Sequence, residues 1–303
     1  FVTTMLRRPI PIEEMVATFK RNHKESHLFK IDNFSLLTKY KIERLESSLF
    51  RLGGLKWKLI VYPKGSKNAN GYVSIYLQNQ DPIHHELEYQ VYVVSQLEAK
   101  WHPNINVKRD FGTSSTPKAK GIHKLISLVD LERNGYLIED CCMFGASLVG
   151  FEPGAQGTAE CFSLIEKPLN HKVTWAMTKF SSFDPAMVHH SQEFVVGNKK
   201  WRIKVHERGF IGGHHKLFAV SLSGEGFINN APKTKTFAKF KLRVFNQVEH
   251  NHLEKTESGW VDADDKHGFK AFTPLEKLAE PYLVNDKLYV GVDFEVISMT
   301  NYC

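Results

Sequence analysis

The feature that most constrains the fold of this chain is an internal repeat. Six segments of the first half recur in the same order in the second half. The paired segments are residues 29–35 with 175–181, 50–65 with 194–209, 72–77 with 217–222, 89–94 with 240–245, 121–125 with 268–272, and 136–140 with 282–286. Their offsets stay between 144 and 151 residues, and each copy spans about 125 residues, which suits a complete domain rather than a solenoid unit. The repeat therefore predicts two tandem domains.

Within each copy the segments are short and alternate between apolar and polar residues, as in residues 72–77. Turn-forming Gly, Asn and Pro residues separate them, for example at 63–71 and 208–213. This pattern is typical of antiparallel β-sandwiches. One short helix or turn is predicted at 127–133 and another at 273–280.

The predicted organisation follows from these blocks. It comprises an N-terminal arm (1–25), a first domain (26–150), a connection (151–171) that includes a final strand of the first domain, a second domain (172–299) and a tail (300–303). In the arm, Ile12, Met15, Val16 and Phe19 stand at helical spacing, which favours an amphipathic helix. An arm without regular structure is the alternative.

Composition excludes several classes of function. No segment approaches the roughly 18 apolar residues that span a bilayer, so no membrane insertion is expected. The net charge of +7 comes from 40 basic and 33 acidic residues that are interspersed, which argues against nucleic-acid binding. The four cysteines lack the spacing of a disulfide framework or a metal knuckle, and no secretory signal is visible. A cytoplasmic location, with a nuclear one as a further option, is the expectation.

The order of the motifs resembles a known family. It runs aromatic-x-aliphatic-x-Asn-Phe-Ser, then Trp-Lys-Leu-x-Val-Tyr-Pro-Lys-Gly at 57–65, then Tyr-Val-Ser-Ile-Tyr-Leu, then Gly-aromatic-x-x-Phe before Leu-x-Asn-Asp. This order is similar to that of the MATH (meprin and TRAF homology) domain, in the tandem form of plant members. The resemblance implies an all-β fold of two eight-stranded antiparallel sandwiches with short connecting helices. It also implies binding of partner proteins, whose extended peptide segments lie in a groove beside an exposed strand.

The resemblance also implies which residues line the grooves. They are Tyr76, Tyr89, Ile122 and His123 in the first domain, and Phe240, His267, Phe269 and Lys270 in the second. Two departures bear on peptide specificity. Lys120 and His267 stand where well-known groove binders of the family have Trp, and Ser221 stands where the first domain has Tyr76.

Other conspicuous residues favour structural roles. Trp57 and Trp201 lie in alternating strands, which predicts core positions. Adjacent histidine pairs, as at 84–85, occur without a metal-binding motif, so no metal and no cofactor are expected. Cys141 and Cys142 fall in an apolar strand, where burial leaves a thiol unactivated. No catalytic residues are predicted.

Three functions compete on these observations. The leading one is a non-enzymatic adaptor or scaffold that binds proteins or short peptide motifs. The alternative is a structural protein that assembles into homo-oligomers through the sandwich surfaces. An enzymatic or lectin-like sugar-binding role has the weakest basis, because it draws only on β-sandwich analogy and on surface aromatics such as Trp101 or Trp260.

Overall fold

Alternating apolar and polar residues form β-strands through most of the chain in the computed structural model. The structure describes residues 8–22, 25–81, 86–103, 105–111, 118–150, 158–184, 186–206, 217–262, 270–274, 278–279 and 281–303. These residues divide into two compact units. The first runs to Leu164 and also includes Thr300–Cys303, and the second is Ile165–Met299.

The regular elements are numbered in chain order. The first fifteen elements are α1 (Ile12–Asn22), β1 (Glu25–Asp32), α2 (Phe34–Lys39), β2 (Leu45–Glu46), β3 (Phe50–Leu52), β4 (Leu55–Tyr62), β5 (Tyr72–Asn79), β6 (Glu86–Val94), β7 (Trp101–His102), β8 (Val107–Asp110), β9 (Ala119–Ser127), α3 (Leu128–Arg133), β10 (Leu137–Ile138), β11 (Cys141–Leu148) and β12 (Thr158–Glu166). Those that follow are β13 (Lys172–Thr178), a 3₁₀ turn (Phe180–Ser182), β14 (Val188–His190), β15 (Phe194–Val196), β16 (Lys199–His206), β17 (Leu217–Phe227), β18 (Thr236–Val244), β19 (Leu253–Val261), β20 (Lys270–Pro274) and β21 (Lys287–Tyr302).

The first unit is a sandwich of two sheets. One sheet has the order β12-β1-β11-β6, with β7 and β8 beside β6 and β10 beside β11. The other has the order β2-β4-β5-β9, with β3 also beside β4. All of these pairs are antiparallel except β1 with β12, which is parallel. The predicted connection thus contributes the strand β12 to the first unit.

The second unit repeats this arrangement. Its first sheet has the order β13-β21-β18-β19, and its second has the order β14-β16-β17-β20, with β15 beside β16. The repeated sequence segments take the same place in both units, because β1, β4, β5, β6, β9 and β11 correspond to β13, β16, β17, β18, β20 and β21. The prediction of two tandem antiparallel β-sandwiches is confirmed.

A tryptophan lies at the centre of each sandwich. Trp57 and Trp201 have no exposed surface, as predicted. Trp57 packs edge-on against Phe111 with ring centres 5.1 Å apart, and Trp201 lies 5.4 Å from Phe294. Each indole N–H donates to a carbonyl five residues earlier, at 3.0 Å in the first unit and 3.2 Å in the second. Each buried indole nitrogen therefore has a hydrogen-bond partner. Without one, its burial would cost free energy of folding.

A carboxylate joins the first and last repeated segments of each unit. Asp140 accepts hydrogen bonds from the backbone N–H of Ser35 at 2.8 Å and from its hydroxyl at 2.7 Å. Asp286 accepts the same pair of bonds from Ser181, at 2.7 and 2.9 Å. Both pairs span 105 residues. We call each of them an Asp–Ser clasp.

The predicted arm is the helix α1. Glu13 and Glu14 in its first turn and Lys20 and Arg21 in its last turn complement the helix dipole. Met15 and Phe19 are fully buried against Leu28, Tyr92 and Val94 of the first unit. The ring centres of Phe19 and Trp101 are 5.5 Å apart. Trp101 is therefore partly covered, which weakens its candidacy as a sugar-binding surface. In the described part of the chain, no helix has the length and apolar character needed to cross a membrane.

The other predicted helices have different outcomes. The first is α3, where Ser127 caps the helix by accepting a hydrogen bond from the Asp130 N–H at 3.0 Å. The second helix or turn was predicted at 273–280. The first two of these residues end the strand β20, and most of the others lie outside the described residues.

One expectation about cysteines is corrected. The structure joins Cys161 and Cys303 by a disulfide, with Cα atoms 6.5 Å apart. Their spacing did not indicate this pair, because 142 residues separate them and only the strand pairing of the fold brings them together.

The first unit buries one titratable side chain on β1, His27, and another on the adjacent strand β12, Glu160. Glu160 is fully buried and accepts bonds from the N–H of Ser48, at 2.7 Å, and from its hydroxyl. Burial raises the pKa of Glu160 to about 7, although the Ser48 bonds act in the opposite direction. His27 stacks on Phe50, and burial lowers its pKa to about 3. Folding therefore favours the neutral form of both groups.

These two groups predict opposite pH dependences of stability. The pKa of Glu160 is raised in the folded state. Its contribution to the free energy of unfolding is therefore complete below pH 4.5 and is lost as pH rises towards about 7. For His27 the folded pKa is lowered, so its contribution is complete above pH 6.5 and is lost as pH falls towards about 3. Between these limits the two slopes, each about 1.4 kcal/mol per pH unit at most, oppose each other.

Glu160→Gln removes the pH dependence due to Glu160 and keeps that due to His27. We therefore expect the free energy of unfolding of this variant, relative to that of the parent protein, to increase from pH 4.5 to 6.5. The His27→Phe variant should show the opposite trend. Denaturant unfolding at several pH values, followed by tryptophan fluorescence, measures both differences. Parallel pH profiles for the parent and both variants would contradict the assignment.

Candidate functional site

The outer surface of β4, β5 and β9 in the first unit brings together polar and aromatic side chains. Tyr62 ends β4, Tyr76 lies on β5, His123 lies on β9, and Ser66 lies in the turn between β4 and β5. Tyr76 and Tyr62 alternate with buried residues of their strands, so their rings point away from the core. We call the surface formed by Tyr62, Ser66, Tyr76 and His123 the β9 face.

An irregularity in the pairing of β9 with β5 lies beside His123. Val73 of β5 pairs with Ile126, but Ile75 pairs with Ile122, so β9 has two extra residues at this point. Such a bulge re-aims the side chains beside it. The hydroxyl of Ser74 donates to the His123 carbonyl at 2.5 Å, which fixes the bulged backbone.

Gly121 allows β9 to approach β5 closely. It lies opposite Tyr76, and a Cβ atom at this position would stand 2.0 Å from the carbonyl oxygen of Ile75. No side chain fits in that space. The glycine of the repeated Gly-aromatic-x-x-Phe segment is therefore required by the packing of two backbones.

Ser66 is the centre of the hydrogen-bond network on the β9 face. Its hydroxyl lies 2.7 Å from the Tyr76 hydroxyl and 2.9 Å from His123 Nδ1. The Tyr76 hydroxyl is itself 3.1 Å from the same ring nitrogen. Tyr62 packs edge-on against Tyr76 with ring centres 5.8 Å apart. The network orders these side chains and leaves His123 exposed to solvent.

A serine hydroxyl beside a histidine also occurs in nucleophilic catalysis, which needs a third group to orient the base. Here the same nitrogen of His123 contacts both Ser66 and Tyr76. Within the described residues, no carboxylate is hydrogen-bonded to the ring, and no group of three or more His, Cys, Asp or Glu side chains is arranged to hold a metal ion. This arrangement suits ligand contact better than proton transfer.

A concave pocket adjoins the β9 face. Its volume is about 440 Å³, and it lies between the end of α2 and the turn after β4. Tyr62 and Ser66 line it and belong to the β9 face as well. Its apolar lining includes the buried side chains of Leu37 and Ile42. The exposed lysines Lys41, Lys64 and Lys67 also line it, and we call it the lysine pocket.

The strand β9 lies at the edge of its sheet. Within the described chain, β9 pairs with β5 on one side and with no strand on the other. The backbone groups of such an edge are able to pair with another extended chain. Residues 119–124 of β9 are exposed or half-buried, whereas Leu125 and Ile126 belong to the core.

The structure brings together two of the residues that the sequence predicted for the first domain. Tyr76 and His123 meet on the β9 face, as described above. Ile122 lies opposite the fully buried Ile75, so its half-buried side chain is on the core side of the sheet.

The prediction that Tyr89 and Phe240 line a peptide groove is wrong. Both have no exposed surface, because β6 and β18 turn these side chains into the sandwich. Tyr89 packs against Phe111 at 5.7 Å, and burial raises its pKa to about 12. Phe240 packs against Phe294 at 5.9 Å. Neither side chain is available to a peptide, and the resemblance alone did not indicate this orientation.

The second unit has a different surface at the equivalent place. Ser221, the counterpart of Tyr76, is buried between Lys204 of β16 and Lys270 of β20 in the strand register. His267 and Phe269 lie outside the described residues, as does the side chain of Lys270. Lys204 forms an ion pair with Glu225 at 3.2 Å. The aromatic and histidine contacts of the β9 face are thus not repeated by Ser221 and Lys204.

Ser66, Tyr62 and the lysine pocket were not predicted from the sequence. Ser66 directly follows the Pro-Lys-Gly end of the most specific repeated segment, which was the available signal. Its contact with residue 123 joins positions 57 residues apart and follows from the pairing of β5 with β9. No local pattern in the sequence indicates that contact.

The two cysteines of β11 differ in burial, because Cys142 is buried as predicted and Cys141 is half-buried. Cys142 is fully buried, which raises the pKa of its thiol. Burial and the neighbouring Asp32 carboxylate raise the pKa of Cys141 to about 11. Neither thiol is activated as a nucleophile.

Comparisons with known proteins agree with the repeat. The family model described as MATH domain matches residues 26–148 and again 172–294. Ubiquitin C-terminal hydrolase 13 of Arabidopsis thaliana is 30% identical over 142 residues, which are 45% of this chain and 12% of the hydrolase. A MATH domain and coiled-coil domain-containing protein of the same plant is 32% identical over 138 residues, which are 42% of this chain and 46% of that protein. The matched region is therefore less than half the length of either relative.

Among solved structures, TRAF5 of Notothenia coriiceps matches with a TM-score of 0.37 and 20% identity. The match covers 48% of this chain and 89% of that one.

We expect Gly121→Ala to destabilise the first unit by about 2 kcal/mol or more and to loosen β9, because the added methyl group collides with the backbone of β5. Gly54→Ala is the control, since nothing lies within 4 Å of a Cβ there and only its left-handed φ of +74° disfavours alanine. It should cost only about 1 kcal/mol. Equal losses in denaturant unfolding would show that the close approach at Gly121 is unimportant.

Proposed function

The chain belongs to the MATH domain family, and we propose that it is a non-enzymatic adaptor that binds an extended peptide segment of a partner protein along β9. Domains of this family are protein-interaction modules. The observation that carries the proposal is an edge strand, β9, beside an ordered and partly exposed set of polar and aromatic side chains.

The geometry supports this function in two ways. An extended segment that pairs with β9 gains main-chain hydrogen bonds, which supply affinity without regard to sequence. Side chains that alternate along the segment then meet the β9 face, where Tyr76 and His123 offer ring surfaces and hydrogen-bonding atoms. The network around Ser66 holds these groups in place before binding, which reduces the entropy cost of the complex.

The same edge also suits a second copy of this chain. Unpaired sheet edges associate readily, so self-assembly through β9 is the competing function. The two functions differ in what occupies the edge, and a test of peptide binding separates them if the oligomeric state is followed in parallel.

The test begins with selection from a random 12-residue peptide library on the immobilised full chain. Selected peptides are then labelled, and their binding is measured by fluorescence anisotropy. We expect the Tyr76→Ala/His123→Ala double variant to weaken binding about tenfold or more, which is a typical effect for losing central contacts. The control is Tyr302→Ala/His250→Ala, which removes an exposed tyrosine and an exposed histidine elsewhere, and it should retain affinity within about twofold.

Circular dichroism and light scattering accompany these measurements. Equal affinity in the two double variants would contradict binding at the β9 face. Failure to select any peptide, together with a concentration-dependent increase in mass that is lost on changing β9, would favour self-assembly instead.

A further inference from the structure

The lysine pocket adds a chemical preference to this site. We infer that the pocket binds an anionic side chain of the bound segment, either a carboxylate or a phosphate ester. This inference deepens the proposed function. It rests on that function only for the statement that the anion belongs to a bound peptide segment. The pocket itself is testable with small molecules.

The first argument is charge. Lys41, Lys64 and Lys67 line the pocket, against one carboxylate, that of Glu43. The nearby ion pairs in the described structure join Glu46 to Arg44 at 2.7 Å and to Lys58 at 3.2 Å, and they leave the three pocket lysines unpaired. Like charges around one cavity repel each other, so an anion between them relieves that repulsion as well as gaining its own attraction.

The second argument is shape. A volume of about 440 Å³ is sufficient for one large side chain. The lining combines the ammonium groups with the buried aliphatic carbons of Leu37 and Ile42. An acidic or phosphorylated side chain has an aliphatic or ester stem and an anionic end, which suits a lining of this composition. Asn70 and Ser66 add polar groups to the same lining.

The third argument is position. Tyr62 and Ser66 belong both to the pocket and to the β9 face. A segment along β9 is therefore able to place one side chain in the pocket while its backbone pairs with the strand. The exposed Lys124 of β9, whose ammonium group lies over the Tyr72 ring, adds positive charge on this strand. The second unit offers no comparison here, because residues 207–216 lie outside the described chain.

The pocket is tested first without any peptide. The probes are N-acetyl-O-phosphoserine N-methylamide and N-acetyl-glutamate N-methylamide, with N-acetylserine N-methylamide as the neutral control. In NMR titrations of the ¹⁵N-labelled full chain, we expect the anionic probes to shift the backbone amides of residues 64–70 and the neutral probe to leave them unchanged. The shifts should diminish as salt is raised, because the lysines are exposed.

Lys41→Gln/Lys64→Gln/Lys67→Gln removes the charge and nearly preserves side-chain length. The matched control, Lys179→Gln/Lys233→Gln/Lys287→Gln, removes three exposed lysines of the second unit. We expect the pocket variant to abolish the shifts at 64–70 and the control to preserve them. Shifts of equal size around unrelated lysines, or shifts that survive in the pocket variant, would overturn the inference.

Library-selected peptides form the second arm and separate the two proposals. We expect an acidic residue at one recurrent position, with its replacement by Ser weakening binding about tenfold in the parent chain and less than about twofold in the pocket variant. Peptides that need Tyr76 and His123 but show no acidic preference would overturn the pocket inference and leave the proposed function intact. Anionic probes that bind the pocket while no peptide binds β9 would support the pocket and contradict the proposed function.

Discussion

The Asp–Ser clasp is the interaction on which the architecture of each unit depends. Asp140 and Asp286 each hold a Phe-Ser pair that lies 105 residues earlier. The backbone N–H of the neighbouring phenylalanine also donates to the carbonyl of the same aspartate, at 2.8 and 3.0 Å. These bonds connect the end of the first strand to the start of the last one. They hold together the sheet of β1 and β11, which is the sandwich partner of the sheet that carries β5, β9 and the β9 face.

The two units share this framework but present different surfaces. Residues that face the core are matched between them, as Trp57 and Trp201 show. Residues on the outer face are not, because Tyr76 is replaced by a buried serine whose neighbours are basic. The duplication therefore preserves the packing of the sandwich, while the outer faces are able to serve different partners. This is the expected division between scaffold and site.

The sequence predicted what depends on local pattern and on the repeat. The tandem sandwiches and the tryptophan cores follow from alternation that recurs between the two halves, and the N-terminal helix follows from its own helical spacing of apolar residues. The site was harder. Tyr89 and Phe240 alternate like any strand residue, and periodicity does not state which face is inside. Ser66 and His123 are 57 residues apart and meet through the pairing of β5 with β9, a long-range feature without a local signal.

The central claim is that a partner segment adds to the free edge of β9. Amide hydrogen exchange of the full chain, with and without a library-selected peptide, tests it directly because pairing protects backbone N–H groups. The account predicts slower exchange in β9 (Ala119–Ser127) and unchanged exchange in β2 (Leu45–Glu46), at the opposite edge of the same sheet. Protection elsewhere in the chain with β9 unchanged would contradict it.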